Sequence, residues 1–244
     1  MSWWAWKNLG GYQQAFLFGL ATLAALPNVT EPNDKISTYV SEALHFRRGI
    51  QNFRVWDTEW EIPIPTQSNG KRDYNTVQRA WLAPFNLIHH TYISCRWDGI
   101  SAIYSRPDAP VRVALEMRLT GSSNVLLAPQ RGNDLGTVSI EVLTTLTTPE
   151  KDWRSFCQQV ADLWTSYTDE KGQPLNARPH WAKQWEGLSV RGKPIAKYLK
   201  EDAFADAFVE FRKTIGMITQ RRGSNLKETR ERFGNKLLDD LLEL

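Results

Sequence analysis

Cysteine is nearly missing from this chain. Only Cys95 and Cys157 occur in 244 residues, far apart and in no C-x-x-C pair, so neither a disulfide framework nor a zinc site is supported, and a reducing compartment is the simpler expectation. An excess of one charge is lacking too. Lys and Arg total 30 against 27 Asp and Glu, interleaved along the chain, which leaves no basic stripe to mark a nucleic-acid surface. Long apolar runs are also scarce. The best, Ala15 to Leu26, has the length of a signal-peptide core and falls well short of the roughly 20 residues a spanning helix needs. Trp3, Trp4, Trp6 and a single positive side chain, Lys7, precede it, a poor n-region. The expectation is a buried or interfacial helix in a cytoplasmic or peripherally membrane-associated protein. Asn28-Val29-Thr30 is a glycosylation sequon only if that reading fails.

Aromatic residues, by contrast, are plentiful. The 11 Trp and 10 Phe exceed what a core of this size needs and fit a large apolar pocket as well as they fit packing. With 41% hydrophobic residues the chain can bury a full core. Periodicity predicts a helical N-terminal segment over 1–50, comprising Ala15 to Leu26 and Asp34 to Arg48. An α+β unit over 51–244 packs with it as one body.

Within that unit Phe53 to Pro65 changes to an alternating period and reads as a strand that Pro63 and Pro65 stop. Asp73 to Ile88 returns to helical spacing, with Pro84 as a possible kink. His89 and His90 are adjacent, point apart, and make a poor metal pair. Val111 to Thr120 is the clearest strand. Val111, Val113, Leu115, Met117 and Leu119 fall on a core face, and Glu116 and Arg118 on the other. Thr137 to Thr145 repeats the pattern, with Val138, Ile140 and Val142 opposite Ser139 and Glu141. If the two strands are antiparallel neighbours, Glu116, Arg118 and Glu141 line one floor. An amphipathic helix over Glu150 to Thr168, a long helix from Lys193 or Pro194 to Gln220, and a last one from Leu226 towards Leu244, capped at Ser224 or Asn225, complete the reading. The fold class is therefore α+β, an antiparallel sheet covered on one face by helices.

The stretch Ala177-Arg178-Pro179-His180-Trp181-Ala182-Lys183 concentrates site-type side chains. Pro179 fixes its own φ and drives Arg178 towards an extended conformation, so the segment enters as a stiff arm. His180 can exchange a proton near neutrality and Lys183 can hold an anion or a carbonyl oxygen. A surface loop with a packed Trp is the plain alternative.

Together with Glu116-Met117-Arg118 and the tail Arg232-Phe233-Gly234-Asn235, the arm resembles the C-terminal substrate domain of aldonolactone and alditol oxidases, within the vanillyl-alcohol-oxidase type of FAD enzymes. His-Trp-x-Lys is the most specific part of the match, which runs from about the first helix to the end of the chain. The resemblance implies a cap domain whose polar sheet face lies over a flavin. It nominates Glu116, Arg118, Lys183 and, in support, His180 as catalytic. The polar strand face and the arm add Glu141, Ser139, Arg178 and Trp181 as expected substrate contacts. No FAD-binding domain, glycine-rich phosphate cradle or histidine placed for flavin attachment accompanies these motifs. FAD is therefore expected from a partner protein or a missing domain, the other partners being a small-molecule substrate or further copies of the chain. A second expectation is a free-standing cap domain that works without flavin as a cyclase, isomerase or lyase on a hydrophobic natural product. A third is a catalytically silent binding or regulatory partner.

Overall fold

The structure is a computed structural model that describes residues 55–89, 109–111 and 115–242, together with Gln13 and Leu17. The N-terminal segment expected over 1–50 lies outside these residues except for those two positions. So do His90, Cys95 and part of the strand expected over 111–120.

Alternation of polar and apolar residues builds the central sheet. Its strands are β1 (Val55–Pro63), β2 (Glu116–Thr120), β3 (Thr137–Thr145) and β4 (Arg178–Pro179), in the order β2-β3-β1-β4 with every pairing antiparallel. Trp60 and Ile62 on β1 and Val138, Ile140 and Val142 on β3 are fully buried. They join one hydrophobic core with α1 (Tyr74–His89) and α2 (Glu150–Thr165), which pack on each other and reach β3 and β1 respectively. Pro84 sits inside α1 and does not end it. The Trp164 indole of α2 donates to the Ala80 carbonyl of α1 at 2.9 Å, fixing the two helices against each other. Helices thus cover the apolar face of an antiparallel sheet, as an α+β fold requires.

Three sequence expectations change. Val111 and Leu115 are buried as the alternation requires, but Met117 and Leu119 are 43% and 56% exposed. They stand on edge strand β2, beyond the reach of the covering helices. The long helix splits into α3 (Ile195–Tyr198), a π-helical turn (Leu199–Ala203) and α4 (Ala205–Arg221), because Phe204 leaves the helical region at φ −133°. Its ring packs into the core against Trp181, with centroids 5.4 Å apart. The last helix is also two: α5 (Leu226–Phe233) and α6 (Lys236–Leu242). Asn225 caps α5 through the Glu228 amide. At the break a Cβ on Gly234 would collide with the Arg230 carbonyl, and Asn235 restarts the helix by accepting from the Leu238 amide at 2.9 Å. A short hairpin of β5 (Ser189–Val190) and β6 (Lys193–Pro194) links the arm to α3. Among the described residues no helix is long and apolar enough to cross a membrane.

Candidate functional site

The sheet face opposite the core carries charge. Glu116, Glu141 and Glu59 are direct cross-strand neighbours on β2, β3 and β1, and Arg118, Ser139 and Glu61 form the next row. Three carboxylates side by side repel one another. A single guanidinium answers all three: Arg118 Nη1 donates to Glu59 at 2.7 Å, and Nη2 donates to Glu141 at 2.7 Å and Glu116 at 3.0 Å. Lys183 arrives from the turn after β4 and donates to the second oxygen of Glu141 at 2.6 Å and to Asp57 at 2.7 Å. The Ser139 hydroxyl donates to Glu61.

Burial makes this face unusual. Glu59, Glu61, Ser139 and Glu141 are all under 5% exposed, whereas the Arg118 and Glu116 side chains are about half exposed, at 50% and 56%. Carboxylates removed from water are costly unless paired and hydrogen-bonded. Glu141 satisfies that condition: the Lys183 ammonium and the Arg118 guanidinium overcome its desolvation and hold its carboxyl below the usual range. Glu59 does not. Only its Oε1 is engaged; Oε2 is buried with no hydrogen-bond partner. Burial first, and the neighbouring Glu141 charge second, push its carboxyl up to about 7. Burial also raises Asp57 in spite of Lys183. Lys183 and Arg118 are both held firmly protonated, because their carboxylate partners outweigh the desolvation each suffers. Side-by-side carboxyls with such different proton affinities have the chemistry to serve one as an acid and the other as a base.

The remaining expected site residues are placed differently. Arg178 gives three of its five N–H donors to backbone carbonyls, Nε to Ala203 O at 2.8 Å and Nη1 to Pro129 O at 3.0 Å and Arg131 O at 2.6 Å. Its guanidinium also lies 4.6 Å from the Phe204 ring centroid. Trp181 donates to Leu127 O at 2.7 Å and packs against Trp185, Phe204 and Phe208. These two side chains pin the arm in place. Among the described residues the His180 side chain makes no bond to the charged cluster: its Nδ1 accepts from the Ala182 amide at 3.2 Å, and only its backbone amide meets β1, donating to the Glu59 carbonyl at 2.9 Å. The arm is extended at Arg178 and Pro179, as expected, and there forms the two-residue strand β4; the turn behind it delivers Lys183.

Sequence reasoning missed Asp57, Glu59 and Glu61, three acids on one face of β1. Their signal was there to see. They alternate with Thr58, Trp60 and Ile62, the period-2 pattern that marks two-faced strands.

Searches of protein-family models, curated proteins and solved structures find no match for this chain.

The donor set also tests the fit of FAD. Two cations face five carboxylates on this sheet, Asp57, Glu59, Glu61, Glu116 and Glu141, and both cations are already paired. A flavin diphosphate brings further negative charge. The described glycines with positive φ, such as Gly70, Gly132 and Gly172, stand singly in separate turns and form no phosphate-binding loop. The described residues do not fit the diphosphate of FAD. They fit a hydroxylated ligand, which can donate to a carboxylate and accept from Arg118 or Lys183.

Proposed function

We propose that this chain is the substrate-binding half of an FAD-dependent oxidoreductase resembling the sugar-lactone and alcohol oxidases, with the flavin held elsewhere, by a partner or another domain. The observation that carries the reading is the meeting of Glu116, Arg118, Glu141 and Lys183, drawn from three separate stretches, within hydrogen-bond distance on one sheet face. The Glu-x-Arg strand and the His-Trp-x-Lys lysine, on which the resemblance rests, are the groups that converge there. Their chemistry suits the task. Oxidation of an alcohol requires the hydroxyl proton to be shared or taken up, and carboxylates beside a fixed guanidinium can orient that hydroxyl and accept its proton. The electron acceptor itself belongs to the flavin.

Purification of the chain from its native source under mild conditions tests this. The expected result is a complex with flavin absorbance that bleaches on anaerobic addition of a lactone or alcohol substrate. A chain that never associates with flavin would end the proposal. A second reading, a cap domain acting without flavin on a hydrophobic natural product, is favoured by the indole-lined cleft beside Lys183 and by a carboxyl poised near neutrality at Glu59. Turnover by the isolated chain without flavin would select it.

A further inference from the structure

The even charge balance of the whole chain hides a local excess. From Phe211 to Phe233, across the outer half of α4, the turn after it and α5, seven Lys and Arg stand against two acids, Glu228 and Glu231, leaving 23 basic residues against 25 acidic ones elsewhere. The interleaving of charge read from the sequence breaks down here. Little of this helical pair is buried: α5 has no buried residue, and in α4 only Ala207, Phe208 and Thr219 are buried. Those three define the inward side of α4. Val209, Lys213, Met217 and Arg221 lie on the opposite side and follow one another at four-residue intervals, which sets them along one ridge. All four are exposed, Val209 to 71% and Met217 to 45%. Apolar and basic side chains thus alternate along roughly 18 Å of helix. Lys213 and Arg221 make no ion pair among the described residues. Glu210, the acid beside the ridge, is taken by Arg131 at 3.0 Å.

From this we infer that the outward ridge of α4 docks the protein on an anionic lipid bilayer, with Val209 and Met217 entering the headgroup layer and Lys213 and Arg221 lying among its negative charges. A lipid surface uses both kinds of side chain, because the long Lys and Arg stems run beside apolar neighbours and carry the charge outward. Nucleic acid would be held through its phosphates and would leave the two apolar side chains without a role. A ridge also stands proud of the surface, so it suits a flat partner better than a peptide that seeks a groove. The inference stands apart from the oxidoreductase reading, since neither the charged sheet face nor a flavin enters it.

Flotation of the full chain with lipid vesicles tests it. Vesicles of phosphatidylcholine carrying about 30% phosphatidylserine should bind the chain at least about tenfold more tightly than phosphatidylcholine alone, and added salt should weaken that binding. Lys213→Gln combined with Arg221→Gln should weaken binding to the anionic vesicles about thirtyfold, the usual contribution of two cations near such a surface. Met217→Ser should weaken it about tenfold. All three side chains are exposed, so urea unfolding should give these variants the midpoint of the unsubstituted chain. Equal binding to both kinds of vesicle, binding to neither, or indifference of the anionic vesicles to these substitutions would overturn the inference. So would a preference for duplex DNA over vesicles that survives Met217→Ser, which would make the ridge a phosphate-binding surface. Self-association that Met217→Ser abolishes would overturn it as well, by giving the ridge to a second copy.

Discussion

Replacing Glu59 by Gln should change how stability depends on pH. Gln has the shape of a protonated Glu, and its carbonyl can still accept from Arg118 Nη1, so the contact at 2.7 Å survives. What the substitution removes is the titration. The Glu59 carboxyl is raised from 4.5 to about 7 in the fold. The folded state therefore keeps this proton over a pH range in which the unfolded state has lost it. Stability linked to Glu59 is fully present below about pH 4.5, falls as pH rises, and is gone above about pH 7. At roughly 1.36 kcal/mol for each pH unit, the loss is about 3 kcal/mol. Asp57, also raised, works in the same sense, and Glu141, lowered, in the opposite one. Both are common to the two proteins, so most of their effect cancels in the difference; the mutual Glu59–Glu141 repulsion does not, and is part of what the comparison reads. Urea unfolding of the wild type and Glu59→Gln from pH 4 to pH 9 should show the variant gaining about 3 kcal/mol on the wild type across the range. Parallel curves, within about 0.5 kcal/mol, would refute the view that Glu59 holds a buried proton.

Lys183→Met leaves Asp57 and Glu141 without their shared ammonium and should cost about 3 kcal/mol at pH 8, with a smaller cost at pH 4 where the carboxyls take up protons; chemical denaturation at both values checks it. Arg178→Lys keeps the charge but loses the planar fork that serves three carbonyls and the Phe204 ring, so a loss of about 2 kcal/mol is expected by the same assay. Gly136 holds φ +106°, and a Cβ there would stand 2.9 Å from the Thr120 carbonyl. Gly136→Ala should therefore push β2 away from β3, cost about 2 kcal/mol, and speed amide exchange along 116–120.

Much of this architecture is written in the local pattern of the sequence. The alternation in Thr137 to Thr145 identified a buried row on β3 and an acid-bearing row behind it, and Pro179 announced the extended arm. What escaped depended on tertiary context. Met117 and Leu119 follow the same alternation as Leu115, yet strand position at the sheet edge, which no local pattern encodes, leaves them in solvent. The helix break at Phe204 reflects the pull of Trp181 on its ring, a contact between segments more than twenty residues apart. Lys183 stood out in the sequence from its motif. Its two carboxylate partners did not, since Asp57 lies 126 positions away and only the antiparallel pairing of β1 with β3 and β4 brings them together. Arg178 looked like a ligand-binding group because composition reveals charge and not the carbonyls that consume it.

The decisive comparison is the rate of anaerobic flavin bleaching in a complex of this chain with the flavin-bearing partner proposed for it, for the wild type and for Arg118→Met. The guanidinium that gathers Glu59, Glu116 and Glu141 should be indispensable, and its removal should slow bleaching by at least about a hundredfold, the scale of losing a positioned charged donor, while the complex still forms. Bleaching at the wild-type rate in that variant would show that the charged face is not where the substrate reacts.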